Sequence, residues 1–532
     1  MFSRLLRTVV AALPLISTAL GFGLVESGNN YVVTTNGGLV FTVDKTSGDI
    51  TSLVFNGVEV QSSSKHSHIA SGIGATCTWV QGGNSNNYIL ITCSTSTIRH
   101  YYMARYTDPA VHMATYTSAE PDVGELRYIA RLRHSVLASG YTAATTAGTS
   151  GAIEGSDVYL VNGQTRSKFY SSRQFVDDAI AGPAYGGGVY AWMVKPDMTS
   201  FELSSGGPFF RDIDNQNGDT DNEIYFYMNS GHVQTESYRQ GFHGPYALWF
   251  TTGSTPATYD SFAIWDQFAS SLSGYTAKAS RGRVTGTATG FPSGDASYIM
   301  VGWSNSAAQY WVRTSTSGAF TSPYMKPGTY TMTLYRWELA IGTSSVTVTA
   351  GGTVSKSIAS SESIPSYIWK IGALDGTPRG FRNADKIETM HPSDTRMSSW
   401  AGITHTVGSS ADSSFPMAIW KAVGGVTINF NLTSSQIGAR TLVIATTLSF
   451  AGGRPGVVVN SWTGATPAAP TKIDSRGVTR GSWRGYNERY TWSVPSGTLV
   501  SGSNSLTITV ASGSDGDVYL SPNFIFDSVY LY

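Results

Sequence analysis

Short apolar–polar alternation, with a period of two, runs through this chain. In the run from Glu223 to Met228, Glu223, Tyr225 and Tyr227 fall on one side of a strand and Ile224, Phe226 and Met228 on the other. The run from Glu125 to Arg131 repeats the pattern, with Glu125, Arg127 and Arg131 on one face and Leu126, Tyr128 and Ala130 on the other. Arg166-Ser167-Lys168-Phe169-Tyr170 would place Arg166, Lys168 and Tyr170 together. Strands of this kind bury the apolar face and present the other. Long, charge-laced helical patterns are scarce, so the fold class is all-β.

The 532 residues exceed one ordinary core. Residues 21–274 read as many short strands joined by turns, which predicts a large N-terminal β-sandwich. The texture changes near residue 275. A module of about 85 residues, 275–360, has the size and strand spacing of a fibronectin III-like or transthyretin-like sandwich. Residues 361–532 predict a jelly roll of the carbohydrate-binding type, with aromatic residues such as Trp400 expected at its surface.

Composition narrows the setting. Charged residues make up only 13% and aromatics 12%, with abundant Gly, Ser and Thr, as in exported β-rich proteins. Arg4 and Arg7 precede the apolar run Val9–Leu20, which is too short to span a bilayer, and Ser17-Thr18-Ala19 offers small residues for cleavage. Residues 1–20 are therefore read as a secretion signal cut between Ala19 and Gly21. Taking Arg4 and Arg7 from the 35 basic residues leaves 33 against 35 acidic, a net charge of −2. No nucleic-acid partner and no membrane span are expected, and a secreted monomer is. In an oxidising compartment the two cysteines, Cys77 and Cys93, predict one disulfide across a hairpin turning at 82–87. Asn431-Leu432-Thr433 is a glycosylation sequon.

The stretch 225–239 gathers Tyr225, Tyr227, His232, Glu236 and Arg239. Tyrosines stack on sugar rings, arginines clamp carboxylates and histidine moves protons, a mixture suited to a hydroxyl-rich, acidic ligand. Arg127 and Arg131 on one face read as a carboxylate clamp, or as cross-strand partners of acids. A lysine beside arginines, such as Lys168, would lose its proton more readily than a solvated one. His66-Ser67-His68 lacks a third metal ligand, and His112 sits in an apolar run like a core residue. Asp212 and Asp214, beside Asp219 and Asp221, match a calcium loop only loosely. Glu125, Glu223 and Glu236 are candidate glycosidase carboxyls, but their separation is not written in the sequence.

Several of these motifs coincide with one family. His112-Met113-Ala114-Thr115-Tyr116, Gly124 to Arg131, Arg166 to Tyr170, Gly206 to Asp212 and Asn229-Ser230-Gly231-His232 lie in the first module. Gly380 to Asp385 and His391-Pro392-Ser393-Asp394 lie in the third. Together they resemble fungal rhamnogalacturonan endolyases of polysaccharide lyase family 4, the rhamnogalacturonase B type, along the whole mature chain. The resemblance implies β-elimination at the rhamnose–galacturonate linkage of rhamnogalacturonan I. It implies Lys168 as base, His232 as its partner and acid, and Arg127 as the cation on the substrate carboxylate. Arg131, Tyr225, Tyr227, Glu236, Arg239 and Arg211 are expected to bind substrate, with Tyr225 orienting Lys168. No catalytic metal is implied; a structural calcium near Asp527 is expected by analogy with jelly-roll modules. All the candidate catalytic residues precede residue 274, so the third module is expected to be separable from the chemistry. Two other readings remain, a glycoside hydrolase on the same polymer and a non-catalytic carbohydrate-binding protein.

Overall fold

The alternating faces of the first module close into two packed β-layers. In the computed structural model the described residues are 21–532, except 71, 122, 123, 233–235, 472–475, 484 and 485. The expected leader and its cleavage point lie outside them. One layer is a seven-stranded antiparallel sheet in the order Ile180–Gly186, Val189–Val194, Gly241–Thr251, Ala110–Thr117, Ile98–Arg105, Tyr88–Ser94, Thr76–Gly82. The other combines a five-stranded meander, running from Gly23–Ser27 to Val58–Glu59, with a four-stranded sheet. That sheet has the order Asn215–Asn217, Asp221–Asn229, Leu126–Arg133, His68–Ile69. Met113, Tyr246 and Leu248 from the first layer meet Tyr128, Ala130, Ile224 and Phe226 from the second in one buried core. Each large apolar side chain buried there stabilises the sandwich by about 1.5–3 kcal/mol.

The expected disulfide joins Cys77 to Cys93, which stand directly opposite one another across the hairpin. His112 is a satisfied core residue, its ring nitrogens 2.8 Å from the Tyr259 hydroxyl and 2.9 Å from Asp108 Oδ2. Asn431 is exposed on the strand Val426–Leu432.

The middle and third modules are also two-sheet sandwiches. In the middle one, Val284 and Phe320 pack against Val301, Trp303 and Met332. In the third, the strands Arg440–Phe450 and Asn523–Leu531 form the centre of one sheet, over a second sheet containing Val426–Leu432 and Gly502–Ala511. Trp400 departs from expectation. It is 4% exposed, packs edge-on against Trp420 and donates its Nε1–H to the Pro392 carbonyl. An indole that finds an internal acceptor has no need of the surface.

The third module is also not a detachable appendage. Its Val443, Ala445 and Tyr530 complete the middle module's core. Its Asp394 accepts from both the backbone N–H and the hydroxyl of Thr165 in the first module. Buried Arg211 donates to Ser172 and reaches Glu388 at 2.6 Å, so it ties the modules together rather than facing a ligand. Asp527 accepts from the backbone N–H of Asp375 at 3.0 Å. Burial, and then the nearby Asp375 charge, push its carboxyl up to about 8. Asp375 is itself taken up by Thr377 and Arg379. Calcium asks for six to eight oxygens. Among the described residues no group of three or more His, Cys, Asp or Glu is gathered to hold a metal. These residues do not fit the expected calcium.

Between the first and middle modules, Glu202 is 1% exposed and bonds Arg281, Lys326 and the Tyr310 hydroxyl at 2.6–3.2 Å. Burial alone would raise its carboxyl. Arg281 and then Lys326 outweigh that and hold it at about 2. With a folded value below the ordinary ~4.3 of the unfolded chain, its contribution is present above about pH 4.3 and disappears as pH falls toward 2. Glu202→Gln, which strands the buried Arg281, is expected to destabilise the protein by about 3–5 kcal/mol at pH 7. It should also flatten the fall in melting temperature between pH 4.3 and 2. A variant whose melting curve parallels the parent across that window would show that Glu202 is not the linked group.

Candidate active site

The paired strands Leu126–Arg133 and Asp221–Asn229 build the site by register. Arg127 stands opposite Tyr227, Ile129 opposite Tyr225 and Arg131 opposite Glu223. Because alternate residues point to opposite faces, these six share the outer face, while Leu126, Tyr128, Ala130 and Leu132 enter the core. The outer face forms a cleft of about 330 Å³, which Lys65, Asp157, Lys168 and His232 also line. Ile129, Phe169, Ile213, Tyr225 and Tyr227 make its apolar floor, the two tyrosine rings lying 5.8 Å apart at 24°.

Lys168 enters by a different route from the one its sequence pattern predicts. The strand Gln164–Ser167 ends before it, and Lys168–Ser171 is a 3-10 turn capped by Ser167, whose Oγ accepts from the Phe169 N–H. Arg166 therefore shares no face with it, and folds back onto Gln164 and the Thr165 carbonyl. Ser167 prefers its local cap to continuing the strand. No carboxylate among the described residues lies within ion-pair distance of Lys168. Burial lowers its pKa; Asp157 and Glu223 oppose the shift, and Arg127 and Arg131 add to it. The cations that loosen its proton are thus Arg127 and Arg131, not Arg166.

His232 is fixed on both sides. Its Nδ1 is 3.1 Å from each oxygen of Asp212, and its Nε2 is 3.2 Å from Glu125 Oε1. The ring rests edge-on against Phe169 at 5.1 Å and beside Tyr227 at 5.6 Å. Gly206 helps deliver Asp212. At φ +99° it makes a turn in which a Cβ would sit 2.1 Å from the Phe210 ring. Burial would raise the Asp212 carboxyl, but His232 outweighs it and holds the group below its usual range. This aspartate belongs to the histidine and not to a calcium loop. Both carboxylates are satisfied together only when the ring carries two N–H donors.

The arginines are paired with acids and still face the cleft. Arg127 bonds Glu125 and lies 5.6 Å over the Tyr227 ring, and its buried Nε has no hydrogen-bond partner among the described residues. Arg131 bonds Glu223. Tyr225 donates to Glu223 and, at 3.2 Å, to Gln216, so its hydroxyl does not orient Lys168 as expected. Glu236 and Arg239 lie apart from the cleft. They form a bidentate pair with both bonds at 2.8 Å, and Arg239 continues to the Ser204 and Asn305 carbonyls. Each satisfies the other. His66 faces Asp49 at 3.8 Å. His68 is held neutral, down to about 4, by burial and then by Arg131.

Two participants were missed in the sequence. Asp157 follows Gly155-Ser156 in a turn, a setting in which an aspartate is unremarkable. Arg480 comes from the third module and lies 3.4 Å from Asp157 and 5.2 Å over the Phe169 ring. Nothing local in either segment marks the other as its partner.

The family profile described as rhamnogalacturonan lyase B, N-terminal, matches residues 22–273. Those for domains II and III of polysaccharide lyase family 4 match 280–356 and 367–531. The chain is 53% identical over 522 residues to rhamnogalacturonate lyase A of Aspergillus aculeatus, covering 96% of each chain. It is 51% identical over 519 residues to rhamnogalacturonate lyase A of Emericella nidulans, again covering 96% of each.

Asp212→Asn should leave the fold intact, because the amide can still occupy the pocket, but it removes the charge that orders the ring. Turnover is expected to fall by about 10²-fold with little change in KM, on the scale of a misoriented proton-transfer group. A variant that loses affinity and keeps its turnover would show that Asp212 shapes binding instead.

Proposed function

Since this chain belongs to polysaccharide lyase family 4, we propose that it is a rhamnogalacturonan lyase whose first-module cleft cuts the rhamnose–α-1,4-galacturonate bond of rhamnogalacturonan I by β-elimination. Lys168 takes H5 of the galacturonate. The C5–H electron pair forms the C4–C5 double bond as the C4–O4 bond breaks, and His232 gives a proton to the departing oxygen. Arg127, with Arg131 beside it, neutralises the carboxylate on which charge develops as H5 leaves. A 4,5-unsaturated galacturonate remains at the new non-reducing end.

The observation that carries this reading is a lysine without an ion-pair partner among the described residues, in a cleft that two arginines and a doubly anchored histidine also line. An ordinary lysine, with a pKa near ~10.4, is almost wholly protonated at neutral pH and accepts nothing. Burial and guanidinium charge lower that barrier here. A hydrolase would need two carboxyls free to flank the bond, one of them protonated. Glu125 and Glu223 are tied to Arg127 and Arg131, and Glu236 to Arg239, which argues against that reading. The guanidiniums already bring the positive charge that a cation would supply, so catalysis is proposed to be independent of metal. The apolar leader and the disulfide support secretion, and no helix among the described residues is long and apolar enough to cross a membrane.

Digestion of rhamnogalacturonan should release products with the ultraviolet absorbance of conjugated unsaturated uronates; purely saturated ends would make the protein a hydrolase. Lys168→Ala is expected to lower turnover by about 10²–10⁴-fold or more and to weaken binding far less, since the arginines and tyrosines still hold the sugar. Lys168→Arg should be nearly as inactive, because arginine stays protonated. Near-normal turnover by Lys168→Arg would reduce position 168 to a charge and move the base elsewhere.

Turnover should also survive excess chelator. Activity abolished by chelation and restored by calcium, with the circular dichroism spectrum unchanged, would reverse the assignment of the arginines as the neutralising charge.

A further inference from the structure

We propose that Arg480, supplied by the third module, is a positioning residue of the first-module cleft: paired with Asp157, it withdraws that carboxylate's charge from Lys168 and so sets the pH at which the cleft becomes active. The inference rests on the reading of Lys168 as the base.

Asp157 and Lys168 are neighbours by construction. The Lys168 N–H donates to the Asp157 carbonyl at 3.1 Å, and both side chains line the cleft. Four charged groups act on Lys168: Asp157 and Glu223 hold its proton on, and Arg127 and Arg131 drive it off. Lys65, His232, Tyr225 and Tyr227 line the same space. Glu223 is already neutralised within the first module, since Arg131 and Tyr225 both bond it. Asp157 is the carboxylate whose counter-charge comes from elsewhere. Arg480 lies 3.4 Å from it, with side-chain exposures of 8% and 23% for the pair. At that depth the pairing is far less screened than a surface ion pair.

Arg480 is held where it can do this. It ends the 3-10 turn Val478–Arg480, and Gly481 follows in the left-handed region against the Ile387 carbonyl. Thr479 donates to Glu154, which also meets Arg476 at 3.1 Å and His391 at 3.3 Å. Glu154 and Asp157 flank the same tight turn, so one cluster of third-module side chains grips both ends of it. The Arg480 guanidinium also covers the Phe169 ring, whose edge meets His232. Besides Asp157, Arg480 senses Arg476, Glu154 and Asp212.

The direction follows from charge. Without Arg480, Asp157 faces Lys168 uncompensated and holds the proton more tightly. The acid limb of kcat/KM, where the base must lose its proton, then moves to higher pH. The test is to measure this limb in Arg480→Gln, Arg480→Lys, Asp157→Asn and the double variant Asp157→Asn/Arg480→Gln. In parallel, the titration of Lys168 is read directly from lysine 13Cε shifts, its signal identified by its loss in Lys168→Ala. Arg480→Gln should move both the limb and the titration up by about 0.5–1 pH unit, a fall of about three- to tenfold in kcat/KM at a fixed pH below the limb. Arg480→Lys should restore most of it. Asp157→Asn should move both down, and in the double variant the Arg480→Gln shift should vanish. A uniform loss of activity with both pH positions unchanged would overturn the proposal and leave Arg480 a purely structural tie. A moved Lys168 titration with an unmoved activity limb would uphold the coupling while removing Lys168 as the base.

Discussion

The pairing of Leu126–Arg133 with Asp221–Asn229 is the constraint from which the rest of the site follows. A slip of one residue would turn Arg127, Arg131, Tyr225 and Tyr227 into the core and Tyr128, Ala130, Phe226 and Met228 out of it. The hydrophobic core therefore enforces the active register: the energy that packs Tyr128 and Phe226 against Tyr246 also points the arginines and tyrosines outward. At the cleft end the register shifts between Leu126 and Arg127, so that Arg127 meets Tyr227 while Leu126 meets Asn229. Such an irregularity re-aims side chains without sacrificing the sheet. It lies where the chain must leave the sheet to bring His232 back over Tyr227.

Charge in the cleft is balanced by pairs with one exception. Arg127 has Glu125, Arg131 has Glu223, Lys65 has Asp221, and His232 has Asp212 and Glu125. Lys168 is left without an ion-pair partner among the described residues. Pairing fixes the guanidiniums and the imidazole in place, since a buried charge is costly unless compensated. Leaving the lysine unpaired does the reverse and makes its neutral form accessible. One cleft thus holds permanent cations and a removable proton close together, because burial and pairing act on them differently.

The strand faces were legible in the sequence because a period of two survives folding whenever one face is buried. The sandwich and the facing of Arg127, Arg131, Tyr225 and Tyr227 followed from that pattern, while the cross-hairpin disulfide followed from two cysteines flanking one turn and the core role of His112 from the apolar run around it. What was not legible is how polar side chains choose among partners. Arg211, Glu236 and Arg239 look like ligand-binding groups, yet they satisfy one another or join modules. Lys168 was placed on the strand face of Arg166, but a serine cap ended the strand one residue earlier. Trp400 read as exposed because its internal acceptor, the Pro392 carbonyl, has no sequence signature. Arg480 and Asp157 sit in different modules, and only the docking of those modules makes them neighbours.

That docking changes what the third module is. A jelly roll appended for binding would need few contacts with the first sandwich. Here it supplies Asp394 to Thr165, Glu388 to Arg211, and His391, Arg476 and Thr479 to Glu154. All of these converge on the segment that carries Lys168 or on its immediate support. The lysine stands on a short turn at the end of a three-stranded sheet whose other strands are Gly151–Glu154 and Val158–Val161. Its strands bury few apolar side chains, so the sheet lacks the hydrophobic face that independent stability needs. Its position has to be fixed from outside, and the third module does so at both ends of the Glu154–Asp157 turn. A base must sit within hydrogen-bond reach of the proton it removes, and misplacement by about 1 Å can cost 10²-fold in rate. The most distant module in the sequence is therefore the one that holds Lys168, the proposed base, in register with the arginines of the first.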